Sequence, residues 1–340
     1  APMRRLFFAA LIFLALGPVP GTVQRFPVDN LTQRAAARPL VFAPQTTGTM
    51  RFVRGWHLVS PHSRFGGFSG LARIAPDRFL LIGDNGYRTR LTFDREGHLS
   101  AFDIAPLPVP PGWPDRKTML DTESLSVDRA HGTAWVGLEH VNQLWRFDSE
   151  LTRLEARHAP AALRDWPRGR GPEAMARLAD RRIIILAEGG RDGPRRNRGV
   201  LLAGYPGVAS APPTRFFYDS QGKGAVSDAA PLPDGRILIV HRKVGWSRQL
   251  FTTTVAIADP GDISGNAVLH SRTIGVVPGG LADNYEGAAV TTEQGRTYLW
   301  LVADDNFQSW QRSLLLQFEL VDLPPRKTPD SKKAARKPAA

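Results

Sequence analysis

Five stretches of the chain share one pattern: Phe68-Ser69-Gly70-Leu71-Ala72, Thr122-Glu123-Ser124-Leu125-Ser126, Pro172-Glu173-Ala174-Met175-Ala176, Ser227-Asp228-Ala229-Ala230-Pro231 and Tyr285-Glu286-Gly287-Ala288-Ala289. Each sets a small or acidic residue at the mouth of an apolar strand, and a second apolar strand ending in polar residues follows. The key positions Ser69, Glu123, Glu173, Asp228 and Glu286 lie 54, 50, 55 and 58 residues apart. That period falls in the range of β-propeller blades and exceeds that of helical solenoids. The sequence therefore predicts an all-β propeller.

The second strands are short and rich in β-favouring residues: Arg78 to Gly83, Thr133 to Leu138, Arg181 to Ala187, Arg236 to Val240 and Thr297 to Ala303. Turn residues such as His131-Gly132 and Asp234-Gly235 stand before them. Third strands fit Gln143 to Asp148, Gly199 to Tyr205, Leu250 to Ile257 and Ser313 to Leu320, and a fourth follows in the first four units. The last unit ends at Pro324-Pro325, while the strand-like run Met50 to Val59 is left over before the first. Pairing that run with Ser313 to Leu320 closes the ring and leaves few sheet edges exposed. The direct count is five four-stranded blades; an irregular blade hidden in the Pro-rich stretch Ala105 to Pro114 would make six.

The expected organisation is a signal-like segment over 1–21, a lead-in over 22–49, the propeller over 50–323 and a basic tail over 324–340. Met3-Arg4-Arg5 followed by the uncharged apolar run Leu6 to Leu16 has the layout of an export signal and is short for a membrane span. A periplasmic or extracellular location is expected, with membrane contact only through an uncleaved N-terminal segment. The chain carries a net charge of +12, but six Lys or Arg against one Asp in 324–340, together with Arg4 and Arg5, place seven of those charges at the ends. The mild excess left over and the absence of any zinc-finger or RNA-binding signature argue against a specific nucleic-acid partner. With no cysteine, disulfides, thiolate metal sites and cysteine nucleophiles are excluded.

In a blade the start of the first strand and the end of the second open on one face, next to the channel. The starts carry the five key residues above; the ends carry Asp84-Asn85, Glu139-His140, Glu188, His241-Arg242-Lys243 and Asp304-Asp305-Asn306. Crowded carboxylates raise one another's pKa unless a cation neutralises them. Hard oxygen ligands arriving from several blades suit calcium, which takes roughly six to eight oxygens in flexible geometry. Arg88 and Arg90, the arginines of Gly189 to Gly199, and Arg242, Lys243 and Arg248 add cations on the same side. Acidic metal ligands ringed by Arg and Lys are what a phosphoester pocket needs. Ser69 lacks the second glycine of a nucleophile elbow, and no phosphate loop or His-Glu-x-x-His is present.

In the motifs Gly66-Gly67-Phe68-Ser69-Gly70-Leu71 with Asp84-Asn85-Gly86, Asp121-Thr122-Glu123-Ser124-Leu125, Gly171-Pro172-Glu173-Ala174-Met175, and Asp283-Asn284-Tyr285-Glu286-Gly287 with Asp304-Asp305-Asn306, the chain resembles the phytase-like family, exported β-propeller proteins described by an esterase-like activity. The resemblance implies hydrolysis of phosphoesters. It departs at Gly83-Asp84-Asn85-Gly86, where a Ser-Asp-Arg-Gly-like run is usual and where Arg88 stands two residues further on. The resulting expectation is calcium on Glu123, Glu173, Glu286 and either Asp84 or Asp304, with Arg88, Arg242 and Lys243 binding a small phosphorylated or otherwise anionic substrate. Glu173 acts through the metal, and Glu188 or Glu139 accepts the proton of the attacking water. The rival expectations are a non-catalytic propeller binding an anion or a protein, and a calcium-dependent lactonase-type hydrolase.

Overall fold

A computed structural model of the chain describes residues 29–114, 119–189, 196–207, 211–245, 250–265 and 267–326. The signal-like segment, most of the basic tail, and Arg191, Arg195 and Arg248 lie outside the described residues. Strands β1 (Ala36–Pro39), β2 (Thr46–Thr47) and β3 (Met50–Val59) come first. Four antiparallel units follow in chain order. The first unit is β4 (Phe68–Ala75), β5 (Arg78–Gly83), β6 (Tyr87–Phe93) and β7 (Leu99–Pro106). The second is β8 (Thr122–Asp128), β9 (Thr133–Leu138), β10 (Gln143–Asp148) and β11 (Leu154–His158). The third is β12 (Pro172–Arg177), β13 (Ile183–Ala187), β14 (Arg196–Leu202) and β15 (Thr214–Asp219), and the fourth is β16 (Ala225–Pro231), β17 (Ile237–Val244), β18 (Phe251–Ala258) and β19 (Val268–Val276). Strands β20 (Tyr285–Glu293), β21 (Arg296–Ala303) and β22 (Ser313–Leu320) form the last unit.

The expected closure is present: β3 pairs antiparallel with β22, from Ser313↔Leu58 to Leu320↔Met50. The lead-in contributes more than the sequence suggested, because β1 and β2 both pair with β3 on its outer side. The first strands pack in the cyclic order β4, β8, β12, β16, β20 and back to β4, so the all-β chain is propeller-like. In the Pro-rich stretch Ala105 to Pro114, where a sixth blade would lie, the first two residues end β7 and 107–114 form no strand.

A hydrophobic cluster fills each junction between neighbouring units. In β5, Phe79 and Leu81 enter the cluster shared with the last unit, while Leu80 and Ile82 enter the one shared with the second. Alternate side chains of a strand leave on opposite faces, so a strand buried on both sides must be apolar throughout. This is why the second strands read as continuous apolar runs instead of alternating ones.

The third and fourth units are joined further. Strand β15 pairs in parallel with β19, and between them the Tyr218 hydroxyl meets His241 Nε2 at 2.6 Å and Ser271 Oγ at 2.7 Å. Burial, with Lys223 adding to it, pushes the His241 imidazole down to about 3. A depressed histidine contributes stability that is complete above its unfolded pKa near 6.5 and is lost as pH falls toward the folded value. Each pH unit in that window costs about 1.4 kcal/mol. We expect the stability advantage of the wild type over His241→Gln to shrink by about 2 kcal/mol between pH 7 and pH 5 in denaturant melts. A constant difference across that range would show that His241 is not held neutral. For the closure, we expect a chain starting at residue 60 to lose the single cooperative transition of the full chain, read by thermal melting.

Candidate functional site: an acidic rim

The same irregularity recurs at the start of every first strand. Pairing runs Phe68↔Gly83 then Gly70↔Ile82, Thr122↔Leu138 then Ser124↔Gly137, and Pro172↔Ala187 then Ala174↔Leu186. It continues as Val226↔His241 then Asp228↔Val240, and Tyr285↔Ala303 then Gly287↔Val302. One residue is skipped each time, which makes Ser69, Glu123, Glu173, Ser227 and Glu286 bulged positions. A bulge bends its strand and re-aims a side chain. One residue past the pair that precedes each bulge stand Asp84, Glu139, Glu188, Arg242 and Asp304; in the fourth unit Arg242 is itself still paired, with Ala225. The rim is thus built from two equivalent sets, Ser-Glu-Glu-Ser-Glu and Asp-Glu-Glu-Arg-Asp, in which Arg242 occupies a place that is acidic in the other four units.

This register corrects the sequence reading of the fourth unit. Asp228 is not the equivalent of the glutamates; Ser227 is. The buried Asp228 carboxylate instead accepts the amides of Ala229 and, across the junction, of Ala288, each at 2.7 Å. The Ser69 hydroxyl donates to Thr122 O at 2.5 Å, Thr122 Oγ1 to Gly83 O at 2.6 Å and Ser124 Oγ to Pro172 O at 2.7 Å. These hydroxyls tie neighbouring units together and are not nucleophiles. Asp305 is also structural, accepting from Gly67 N at 3.2 Å, Phe307 N at 3.0 Å and Ser313 Oγ at 2.7 Å. Gly66 and Gly67, at φ +121° and +60°, let the backbone come this close: a Cβ on them would fall 2.4 Å from Asp305 Oδ1 and 2.5 Å from Asp84 Oδ1.

The electrostatics show that the rim residues converge. Burial, then Glu173, Glu286, Asp121 and Asp84, holds Glu123 well above the usual carboxylate range. Burial, then Glu188, Glu286 and Glu139, does the same to Glu173, with Arg242 opposing. Burial, Glu286 and Asp84 raise Asp304, against the Asn306 amide that donates to its Oδ1 at 2.6 Å. Glu139 is pushed up to about 7 by burial, Asp121 and Glu188. Glu286 is also raised by burial, although Arg242 and Asn284 pull the other way.

Arg242 is the cation set among them. It donates from Nη1 to Glu286 Oε1 and to Asn284 Oδ1 (2.9 Å), and from Nη2 to Glu188 Oε1 (3.1 Å). Burial works against its charge, but Glu286, Glu173, Glu188 and Asp304 hold its pKa above the ordinary value. Asn284 is fully buried and donates from Nδ2 to both Glu286 Oε1 and Asp304 Oδ2 at 3.1 Å. Sequence reading assigned it no role; its place two residues before a rim glutamate was the available signal.

Two other expected contacts are not brought to the rim. Arg88 is buried in β6 and gives its Nη1 to Asp103 Oδ2 of β7 at 2.5 Å, a carboxylate that also takes Arg90. Lys243 is exposed and, one residue after Arg242 in β17, leaves on the opposite face of the strand.

For a metal, Glu139, Glu173 and Glu188 each offer an oxygen within 4.8 Å of the others, and Asp121, Glu139 and His140 form a second such group. Sequence reading did not single out Asp121 as a ligand. Carboxylate oxygens dominate both groups and the rim carboxylates outnumber Arg242, so the donors fit a hard divalent cation such as calcium.

The family model of the phytase-like proteins, described as the esterase-like activity of phytase, matches residues 63–307, and the chain belongs to that family. No curated protein sequence matches it. Among solved structures, the chain is similar to an endo-arabinase from Bacteroides thetaiotaomicron VPI-5482, with 10% identity, a TM-score of 0.51, and 78% of this chain and 96% of that one covered. It is also similar to the gluconolactonase XC5397 from Xanthomonas campestris (15% identity, TM-score 0.44, 84% and 88% covered) and to the WD40 repeats of RRP9 (9%, 0.41, 82% and 100%).

Replacing rim glutamates by glutamine removes mutual repulsion and the ligands together. We expect calcium to raise the melting temperature of the wild type, and Glu123→Gln combined with Glu286→Gln to melt higher than the wild type in chelator and to show no such rise. That rise corresponds to about 2.7 kcal/mol when calcium is a hundredfold above its Kd. An unchanged calcium response in the double variant would remove both residues from the metal site.

Proposed function

We propose that the five units are the blades of one propeller and that the chain is an exported, calcium-dependent phosphoesterase acting at the acidic rim. The observation that carries this reading is Arg242: a guanidinium fork stands in a position that is acidic in the other units, hydrogen-bonded to two rim glutamates. Calcium would be held by Glu123, Glu173 and Glu286 with Asp84 or Asp304, and the trio Glu139, Glu173 and Glu188 offers further oxygens on the Glu173 side. When bound, it supplies polarisation of a phosphoryl oxygen and a more acidic water.

The chain's own residues do the rest. Arg242 presents planar N–H donors of the kind that match phosphate oxygens bidentately. An entering phosphoryl group competes with Glu188 and Glu286 for those donors, so binding substrate and loading the cation are coupled through shared carboxylates. Asn284 fixes the orientation of Glu286 and Asp304 whichever partner Arg242 holds. Glu139, with its carboxyl near neutrality, can exchange a proton with water or leaving group at working pH. Export rests on the charged and apolar pattern of Met3 to Leu16, and the N-terminal residue of protein recovered from the periplasm tests it.

We expect calcium-dependent hydrolysis of an activated phosphomonoester or diester by the wild type. Arg242→Gln should weaken inorganic phosphate binding and lower kcat/KM by about 10² to 10³, the range for loss of one electrostatic stabiliser. Glu139→Gln should lower kcat with phosphate binding intact. If the calcium-loaded protein binds phosphate and turns over no ester, the binding-module reading replaces this one. Hydrolysis of lactones without phosphoesters would instead make it a lactonase-type enzyme.

A further inference from the structure

The ends of the first strands away from the acidic rim enclose a cavity of about 450 Å³. Its walls are aliphatic, with Leu71, Leu125, Val127, Met175, Ala229 and Ala288 among them, and its polar groups are mainly Arg73, Arg129, Arg177, Asp128 and Glu293. A volume of several hundred Å³ with apolar walls and a few convergent polar groups is the make-up of a small-molecule pocket.

These polar groups differ in how far they are already engaged. The Arg73 side chain is 6% exposed and pairs with Glu293, while Arg177 Nη2 holds Asp128 Oδ2 at 3.1 Å. Asp128 is in turn contacted by His131 Nδ1 at 2.7 Å and by the Tyr205 hydroxyl. One oxygen of each acid, Glu293 Oε1 and Asp128 Oδ2, is therefore engaged. Arg73 is committed as well, with Nη1 on Glu293, Nη2 on Pro76 O and Nε buried away from the cavity. Arg177, whose side chain is 20% exposed and bonded through Nη2, keeps donors that an acceptor in the cavity can reach. Arg129 adds an exposed cation at the same mouth, so the three arginines outnumber Asp128 and Glu293.

We propose that this cavity is a second ligand site, for an organic anion with an aliphatic body, its head on Arg177 and Arg129 and its chain along Leu71, Leu125 and Met175. The site is independent of the chemistry assigned to the acidic rim, where the same anion would meet crowded carboxylates. The two mouths of the channel then take different ligands, a metal-bound phosphoryl group at one and an amphipathic organic anion at the other.

The probe is octanoate, titrated calorimetrically into the calcium-free full chain. We expect saturable binding that weakens at least tenfold in Arg177→Gln and in Val127→Trp, which fills the mouth without removing charge. Arg242→Gln should leave it unchanged, and neutral octanol should bind at least tenfold more weakly. Absence of saturable binding overturns the proposal. So does binding insensitive to Arg177→Gln and Val127→Trp, or binding lost in Arg242→Gln. Should Arg177→Gln fail to fold, Arg129→Gln together with Val127→Trp gives the same reading from the exposed side.

Discussion

Seven carboxylates, those of Asp84, Glu123, Glu139, Glu173, Glu188, Glu286 and Asp304, share one rim with a single guanidinium standing among them at the equivalent positions. Most are desolvated, and desolvation and like charge act in the same direction on a carboxyl group: both favour the proton. The rim is therefore under electrostatic pressure that protons, Arg242 or an added cation relieve. Everything else about the fold serves to hold these groups together against that pressure. Arg242 and Asn284 relieve one side, where Glu286, Asp304 and Glu188 gather. On the Glu139 and Glu173 side Arg242 acts on Glu173 only through space, and among the described residues no cation is hydrogen-bonded to either glutamate; there, with Glu188, the tight oxygen trio lies.

The frame that resists the pressure is apolar and cyclic. Each unit buries both faces of its second strand against neighbours, and β3 joins β22 so that the chain's two ends lock one unit. Side-chain hydrogen bonds from Ser69, Thr122 and Ser124, and the amide pair on Asp228, stitch adjacent units near the rim. The repeated bulge turns this stiff ring into a site. One extra residue per first strand aims a side chain toward the channel without disturbing the apolar pattern that follows it.

Much of this was legible in the sequence. The period between Ser69, Glu123, Glu173 and Glu286, and the surplus strand Met50 to Val59, were enough to expect a closed ring with an acidic mouth. The errors have physical causes. Ser227 and Asp228 are adjacent, and only the pairing register tells which is bulged. Arg88 and Lys243 lie close in sequence to rim residues, but Arg88 answers to Asp103 on the neighbouring strand, fifteen residues on in sequence, and Lys243 obeys strand alternation. Strands β1 and β2 are too short to show a periodicity and exist through pairing with β3. Asn284 is neutral, so a search for charged ligands passes over it.

The rim's pressure can be measured directly by titrating calcium into the metal-free protein near pH 6.5 while recording proton release. Carboxyl groups that burial and mutual repulsion keep protonated must give up protons when a cation binds between them. We expect saturable binding with release on the order of one proton per ion, falling as pH rises and abolished by Glu123→Gln with Glu286→Gln. Calcium that fails to bind, or that binds without releasing protons, would contradict a rim held protonated for want of a cation.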